Sequence, residues 1–163
     1  MKDQTANICL SLKKTNKNFV IIAPNNDPGS NFIFKEIEKL PTERFKIIPS
    51  MRFNYFSVLL KNAKLLVGNS SAGVREAPFL GVPSVNIGSR QKNRSFANSV
   101  TNYSHQNKIP LDVIITKKWG TKHGPDKSFG SGNSSKRFVK ILKQKKIWSL
   151  KTQKTFFEKK TKN

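Results

Sequence analysis

The chain has 163 residues, 36% of them apolar and 10% aromatic, about one domain's worth on a scale of ~100–200 residues per domain. A core of that size needs no disulfide or metal, and the composition excludes collagenous, coiled-coil and mucin-like classes while being too apolar for a disordered chain. The 31 basic residues outnumber the 9 acidic ones for a net charge of +22, which attracts any polyanion at low salt.

Residues 3–16 place Ile8, Leu10 and Leu12 among polar neighbours, the pattern of a short helix ending at the Thr15-Asn16-Lys17-Asn18 turn. Phe19 to Ala23 is the longest apolar run, far below the ~20 residues of a membrane span, and predicts a strand buried on both faces of a parallel sheet. Pro24-Asn25-Asn26-Asp27-Pro28-Gly29-Ser30 breaks the chain, with Asp27 or Ser30 as the expected cap of a helix that runs to Pro41. A second strand is expected over 45–48, a helix over 55–63 and a third strand over 65–67. Gly68-Asn69-Ser70-Ser71-Ala72-Gly73 follows, then a helix over 73–80 stopped by Gly81-Val82-Pro83, and a fourth strand over 84–87. A polar, basic loop covers 88–94, a strand lies near 99–102, and a helix covers 109–119 with Pro110 in its first turn. A Gly-rich loop spans 122–133, and an amphipathic helix spans 134–146. Strands alternating with helices through short connections predict an α/β, Rossmann-like three-layer parallel sheet, with a domain over 1–150 and a basic tail over 151–163.

In open parallel sheets ligands bind beyond the carboxyl ends of the strands, where loops 24–30, 68–73 and 88–94 fall. The middle loop carries the sharpest signal. Its small residues admit a ligand close to the backbone, and a helix start behind it offers free amides. Ser70 and Ser71 add hydroxyls, and Arg75, Arg90 and Arg94 add the positive charge that a diphosphate attracts. The competing reading is that Ser70 or Ser71 only caps the helix. Glu76 can accept hydrogen bonds from both ribose hydroxyls, or can be an ordinary ion-pair partner of a lysine. His105 and His123 lack metal-ligand spacing and read as solvated. Cys9 is the single cysteine, so neither an internal disulfide nor a cysteine-rich zinc site is possible. No metal and no cofactor are expected, and no Gly-x-Ser-x-Gly or Walker motif occurs.

Four stretches together resemble a known family. Gly68-Asn69-Ser70-Ser71-Ala72-Gly73-Val74-Arg75-Glu76-Ala77-Pro78, then Gly81-Val82-Pro83 and Asn86-Ile87-Gly88-Ser89-Arg90-Gln91, resemble the signature of the hydrolysing UDP-N-acetylglucosamine 2-epimerases of sialic and legionaminic acid synthesis. The 24–30 loop and Phe129-Gly130-Ser131-Gly132-Asn133-Ser134-Ser135 extend the likeness over about residues 19–142. The resemblance implies the second half of a glycosyltransferase-B-type fold, the half that grips UDP. It places Ser70, Ser71, Gly73 and Arg90 on the diphosphate and Glu76 on the ribose, with Asn25, Asp27, Ser30, Asn69 and Arg75 lining the cleft. The family's reaction removes a proton from sugar C2, eliminates UDP and adds water to give N-acetylmannosamine.

The resemblance also implies what this chain lacks. The carboxylates of the first half and a histidine at the start of the second have no counterpart here, so catalytic residues are unknown and the chain alone is expected to be inactive. Expected partners are UDP or UDP-N-acetylglucosamine and a missing amino-terminal half or a further copy of the chain, with the helix near 134–146 as one face awaiting cover. A stand-alone nucleotide-sugar binding module is the alternative, and a UDP-dependent glycosyltransferase subunit is a third reading. The lysines are scattered rather than grouped with aromatics, so no specific nucleic acid is expected. No membrane association is expected either. No apolar signal core follows Met1-Lys2-Asp3-Gln4, which makes the cytoplasm the expected location.

Overall fold

A computed structural model describes residues 2–25, 28–150 and 153. The chain divides into two compact units, 1–128 and 129–163. The compact first unit thus ends inside the span expected for the domain, and the expected tail lies, Gln153 apart, outside the described residues.

The first unit alternates helices and strands in the expected order: α1 (Lys2–Lys14), β1 (Phe19–Ile22), α2 (Ser30–Ile37), β2 (Phe45–Ile48) and α3 (Phe53–Asn62). Then come β3 (Leu66–Gly68), a 3-10 turn (Ser71–Gly73), α4 (Glu76–Phe79), β4 (Ser84–Ile87), β5 (Val100–Tyr103) and α5 (Leu111–Lys118). All strand pairs are parallel. β1 pairs with β2, and β4 sits between β3 and β5.

Alternation of side chains sorts the strands into layers. Phe19 and Ile21 of β1, Leu65 and Val67 beside and in β3, and Val85 and Ile87 of β4 all join one core. Cys9 and Leu12 of α1, Ile37 of α2, and Leu111, Ile114 and Ile115 of α5 close it. Both strand groups therefore share one apolar interior. Phe19 stacks on Phe45 at 5.4 Å, and Trp119 meets Phe19 edge-on, a favoured aromatic geometry. On the opposite face of β3, Leu66 joins Leu60 of α3 and Ala77 of α4 in a second cluster with Val82. Helices on both faces of β3 and β4 make the three layers.

Three local expectations change. β1 is covered on one face only, with Val20 45% and Ile22 36% exposed, so its unbroken apolar run does not mean burial on both sides. The cap of α2 is Gly29, in the left-handed region at φ +91° with no side-chain cap bond, while Ser30 is the first helical residue; Asp27 lies outside the described residues. The helix expected over 73–80 is a 3-10 turn followed by the four-residue α4.

The second unit contains α6 (Ser134–Leu142) and α7 (Lys145–Trp148), two segments where one helix over 134–146 is expected. α6 ends at Leu142, and the indole N–H of Trp148 donates to the Leu142 carbonyl at 2.8 Å, satisfying one of the acceptors that every helix end leaves open. Phe138, Val139 and Ile141 of α6 are exposed.

Candidate functional site

The register of β3, β4 and β5 brings Gly68, Asn86 and Asn102 side by side. The 68–73 turn and the 88–94 loop therefore leave one sheet at the same carboxyl edge. Loop 24–30 leaves the carboxyl end of β1, in the other strand group. Of its candidates, Asn25 is exposed, Ser30 is buried and Asp27 is not described.

Ser70 sits outside the 3-10 turn in an extended conformation, and its Oγ accepts a hydrogen bond from the Ala72 amide at 3.3 Å. The capping reading of Ser70 is therefore what the structure has. A capping hydroxyl accepts through a lone pair and keeps its O–H to donate, so the cap and an outward donor are compatible. Asn69, Ser70, Ser71 and Arg75 are exposed on one stretch, while Gly73 is buried beneath it. The Ser84 hydroxyl of β4 donates to the Gly73 carbonyl, tying the turn to the sheet.

Glu76 opens α4. Its Oε2 is buried and has no hydrogen-bond partner. Among the described residues no lysine forms an ion pair with Glu76. A buried carboxylate oxygen left unpartnered costs several times what an ordinary hydrogen bond contributes. α4 is held from behind by Gly81, whose φ of +69° turns the chain and whose missing Cβ leaves room for the His123 carbonyl. The Asp126 amide donates to the Pro78 carbonyl at 2.9 Å, closing the same strap. His123, expected in solvent, is half-buried with its Nε2 3.2 Å from the Thr121 hydroxyl; His105 is exposed.

The 88–94 loop starts at Gly88, whose amide donates to the Tyr103 carbonyl at 2.8 Å. Arg90 and Arg94 are exposed at its surface. Between them Gln91 is only 3% exposed. Its Nε2 donates to the Asn69 carbonyl at 3.1 Å, and its Oε1 accepts from Arg94 Nη1 at 3.3 Å. The structure thus joins the 68–73 turn and the 88–94 loop through one side chain.

Gln91, Ser84 and the Asn86–Asn102 pair are absent from the candidates read in the sequence. Asn86 is 1% exposed, donates to Asn102 Oδ1 at 2.7 Å and leaves its own Oδ1 without a partner. A signal for two of them exists in β4, where polar Ser84 and Asn86 alternate with Val85 and Ile87 in a strand buried throughout. Polar groups on an interior face need partners there.

The fold and the shared strand-end edge define a Rossmann-like α/β unit of the glycosyltransferase-B type. A structure of UDP-GlcNAc 2-epimerase from Methanocaldococcus jannaschii superposes with a TM-score of 0.65 at 20% identity, covering 86% of this chain and 41% of that one. The family model described as UDP-N-acetylglucosamine 2-epimerase matches residues 1–143. The chain belongs to that family. A UDP-N-acetylglucosamine 2-epimerase of Neisseria meningitidis serogroup B is 38% identical over 161 residues, 97% of this chain and 43% of the relative. A Legionella pneumophila protein described as UDP-N,N'-diacetylbacillosamine 2-epimerase (hydrolyzing) is 27% identical over 148 residues, 88% of this chain and 38% of its own length. The chain therefore spans about two-fifths of the length of these relatives.

Proposed function

We propose that this chain is the UDP-binding, carboxyl-terminal half of a hydrolysing UDP-N-acetylglucosamine 2-epimerase, and that it forms one UDP-binding domain over 1–150. The observation that carries the reading is Glu76, a carboxylate with one buried, unpartnered oxygen behind the serine turn. A ribose hydroxyl is a donor suited to that oxygen. Ser70 and Ser71 would donate their O–H groups to the diphosphate, with Gly73 shaping the turn beneath them and Arg90 supplying positive charge from the neighbouring loop. Asn69 and Arg75 would line the cleft beside the turn, and Asn25, Asp27 and Ser30 would do so from the 24–30 loop. The hydrolysing mode is favoured by the long Gly68–Pro78 block and by the name of the Legionella relative.

In such a reaction a base removes the C2 proton, and the C2–H electrons form the C1–C2 double bond as the C1–O bond breaks and its electron pair leaves with UDP; water then adds across the double bond of the released sugar. The part proposed for this chain is to hold the nucleotide and to stabilise negative charge on the departing diphosphate, which fixed donors do better than water. The described residues of the three loops hold no carboxylate, and Glu76, which opens α4 just behind the middle loop, is committed to ribose in this reading. A general base contributes roughly 10²–10⁴-fold when placed within reach of its proton, so the proton chemistry is assigned to an amino-terminal half. The setting is proposed to be the cytoplasm, in acidic amino-sugar synthesis; among the described residues no helix is long and apolar enough to cross a membrane.

The test is to incubate the purified chain with UDP-N-acetylglucosamine, alone and with the amino-terminal half of a relative, and to follow UDP and N-acetylmannosamine. Release of both only in the combined sample is expected. Turnover by the chain alone contradicts the division of labour proposed here.

A further inference from the structure

We infer that Gln91 is the positioning residue of this site, the clamp that sets the 68–73 turn and the Arg90-bearing loop in one arrangement around an anionic ligand; the ligand's being a diphosphate rests on the function proposed above. Gln91 is almost wholly buried, yet both ends of its amide are used. Nε2 meets the Asn69 carbonyl, one residue before the Ser70 cap, and Oε1 meets Arg94 Nη1. The partners fix which way the amide faces. A carbonyl only accepts and a guanidinium only donates, so the reversed amide would set oxygen against oxygen and NH₂ against the guanidinium.

The surrounding bonds make this clamp rigid on both sides. The turn is anchored below by Ser84 on the Gly73 carbonyl. The loop is folded on itself, with the Lys92 amide on the Ser89 carbonyl at 3.0 Å and the Arg94 amide on the Gln91 carbonyl at 3.2 Å. Arg90 lies one residue from Gln91, inside that folded segment. The backbone position of Arg90 therefore follows from where Gln91 is held, while Gln91 itself, only 3% exposed, is too buried to serve as a ligand contact. Fixing the donors before the ligand arrives removes an ordering cost from binding.

Glutamate is a discriminating replacement. A carboxylate still accepts from Arg94 but cannot donate to the Asn69 carbonyl, and it leaves that oxygen facing a negative charge. A protonated carboxyl regains the O–H donor and so imitates the amide. A mere packing role for Gln91 has no such dependence on protonation.

The test uses the full chain and the variants Gln91→Glu and Gln91→Met, each compared with the unaltered chain at the same pH. Without ligand, amide hydrogen exchange over 69–73 and 88–94 is expected to quicken in both segments together by about tenfold at pH 7.5, the scale of one lost buried hydrogen bond. With UDP as the probe, calorimetry is expected to show about tenfold weaker binding at pH 7.5 for both variants. Near pH 4.5 Gln91→Glu is expected to approach the unaltered chain in both measurements, while Gln91→Met stays displaced. Exchange that changes in one segment alone or in neither overturns the clamp, as does a Gln91→Glu variant that follows Gln91→Met at both pH values. Failure of the unaltered chain to bind UDP removes the nucleotide reading instead, and the ligand-free exchange still decides the clamp. If Gln91→Met does not fold, the pH dependence of Gln91→Glu decides alone.

Discussion

Glu76 and Gly81 stand five residues apart, and each departs from what stability alone would choose. The unpartnered Oε2 of Glu76 is a local cost, and function is one reason for a protein to retain it. Replacement by glutamine removes the charge and keeps the shape. Urea denaturation of Glu76→Gln is expected to show an unchanged or raised midpoint, even though ligand affinity falls. A lowered midpoint would mean that the carboxylate is structurally paired after all. Gly81 has the opposite character. Its φ of +69° disfavours any side chain, and an added Cβ would lie 2.4 Å from the His123 carbonyl oxygen. Gly81→Ala is expected to cost more than about 1 kcal/mol, since strain and a backbone clash act together. An unchanged denaturation midpoint would show that the strap at 123–126 moves aside freely.

At the scale of elements, α1 lays Cys9 and Leu12 into the core against α2 and α5. Burial pushes the Cys9 thiol up from its ordinary value, the Glu36 carboxylate adds to the rise, and Lys13 and Lys39 pull against it. The folded chain therefore keeps its thiol proton to higher pH than the unfolded chain does. That contribution to stability is fully present below the unfolded value of about 8.5 and is lost as pH rises through the folded one. The urea midpoint of the unaltered chain is expected to fall more steeply between pH 8 and 10 than that of Cys9→Ala. Equal slopes would contradict a buried thiol.

The order of these elements was legible in the sequence because period and punctuation agree: β-branched runs such as 45–48 end at Pro49, and Gly81-Val82-Pro83 separates α4 from β4. Two features of the fold were not legible. An apolar run like Phe19–Ile22 reports on residue type and not on what covers it, and coverage is a tertiary property. The break after Leu142 depends on Trp148 reaching back across six residues, which a helical period does not encode. The serine turn with its glutamate was visible as a local block. The Gln91 clamp was not, because its partner Asn69 lies 22 residues away.

Over the whole molecule, the charge of +22 and a specific site make different demands on salt. Binding to DNA or heparin is expected to fall by orders of magnitude between 50 and 300 mM salt, as counterion release requires. Binding of UDP at a few fixed donors is expected to weaken far less over the same range. Parallel loss of both would assign the nucleotide to the diffuse positive field. Ser70, Glu76 and Arg90 are proposed to grip one nucleotide diphosphate, and calorimetric titration of UDP at 150 mM salt into the unaltered chain and into Glu76→Gln decides whether they do. One site per chain is expected, with a loss of about 1–3 kcal/mol in the variant, as for removal of a charged hydrogen-bond partner. Equal affinity in the two proteins, or no saturable site in either, would show that these residues do not hold the nucleotide.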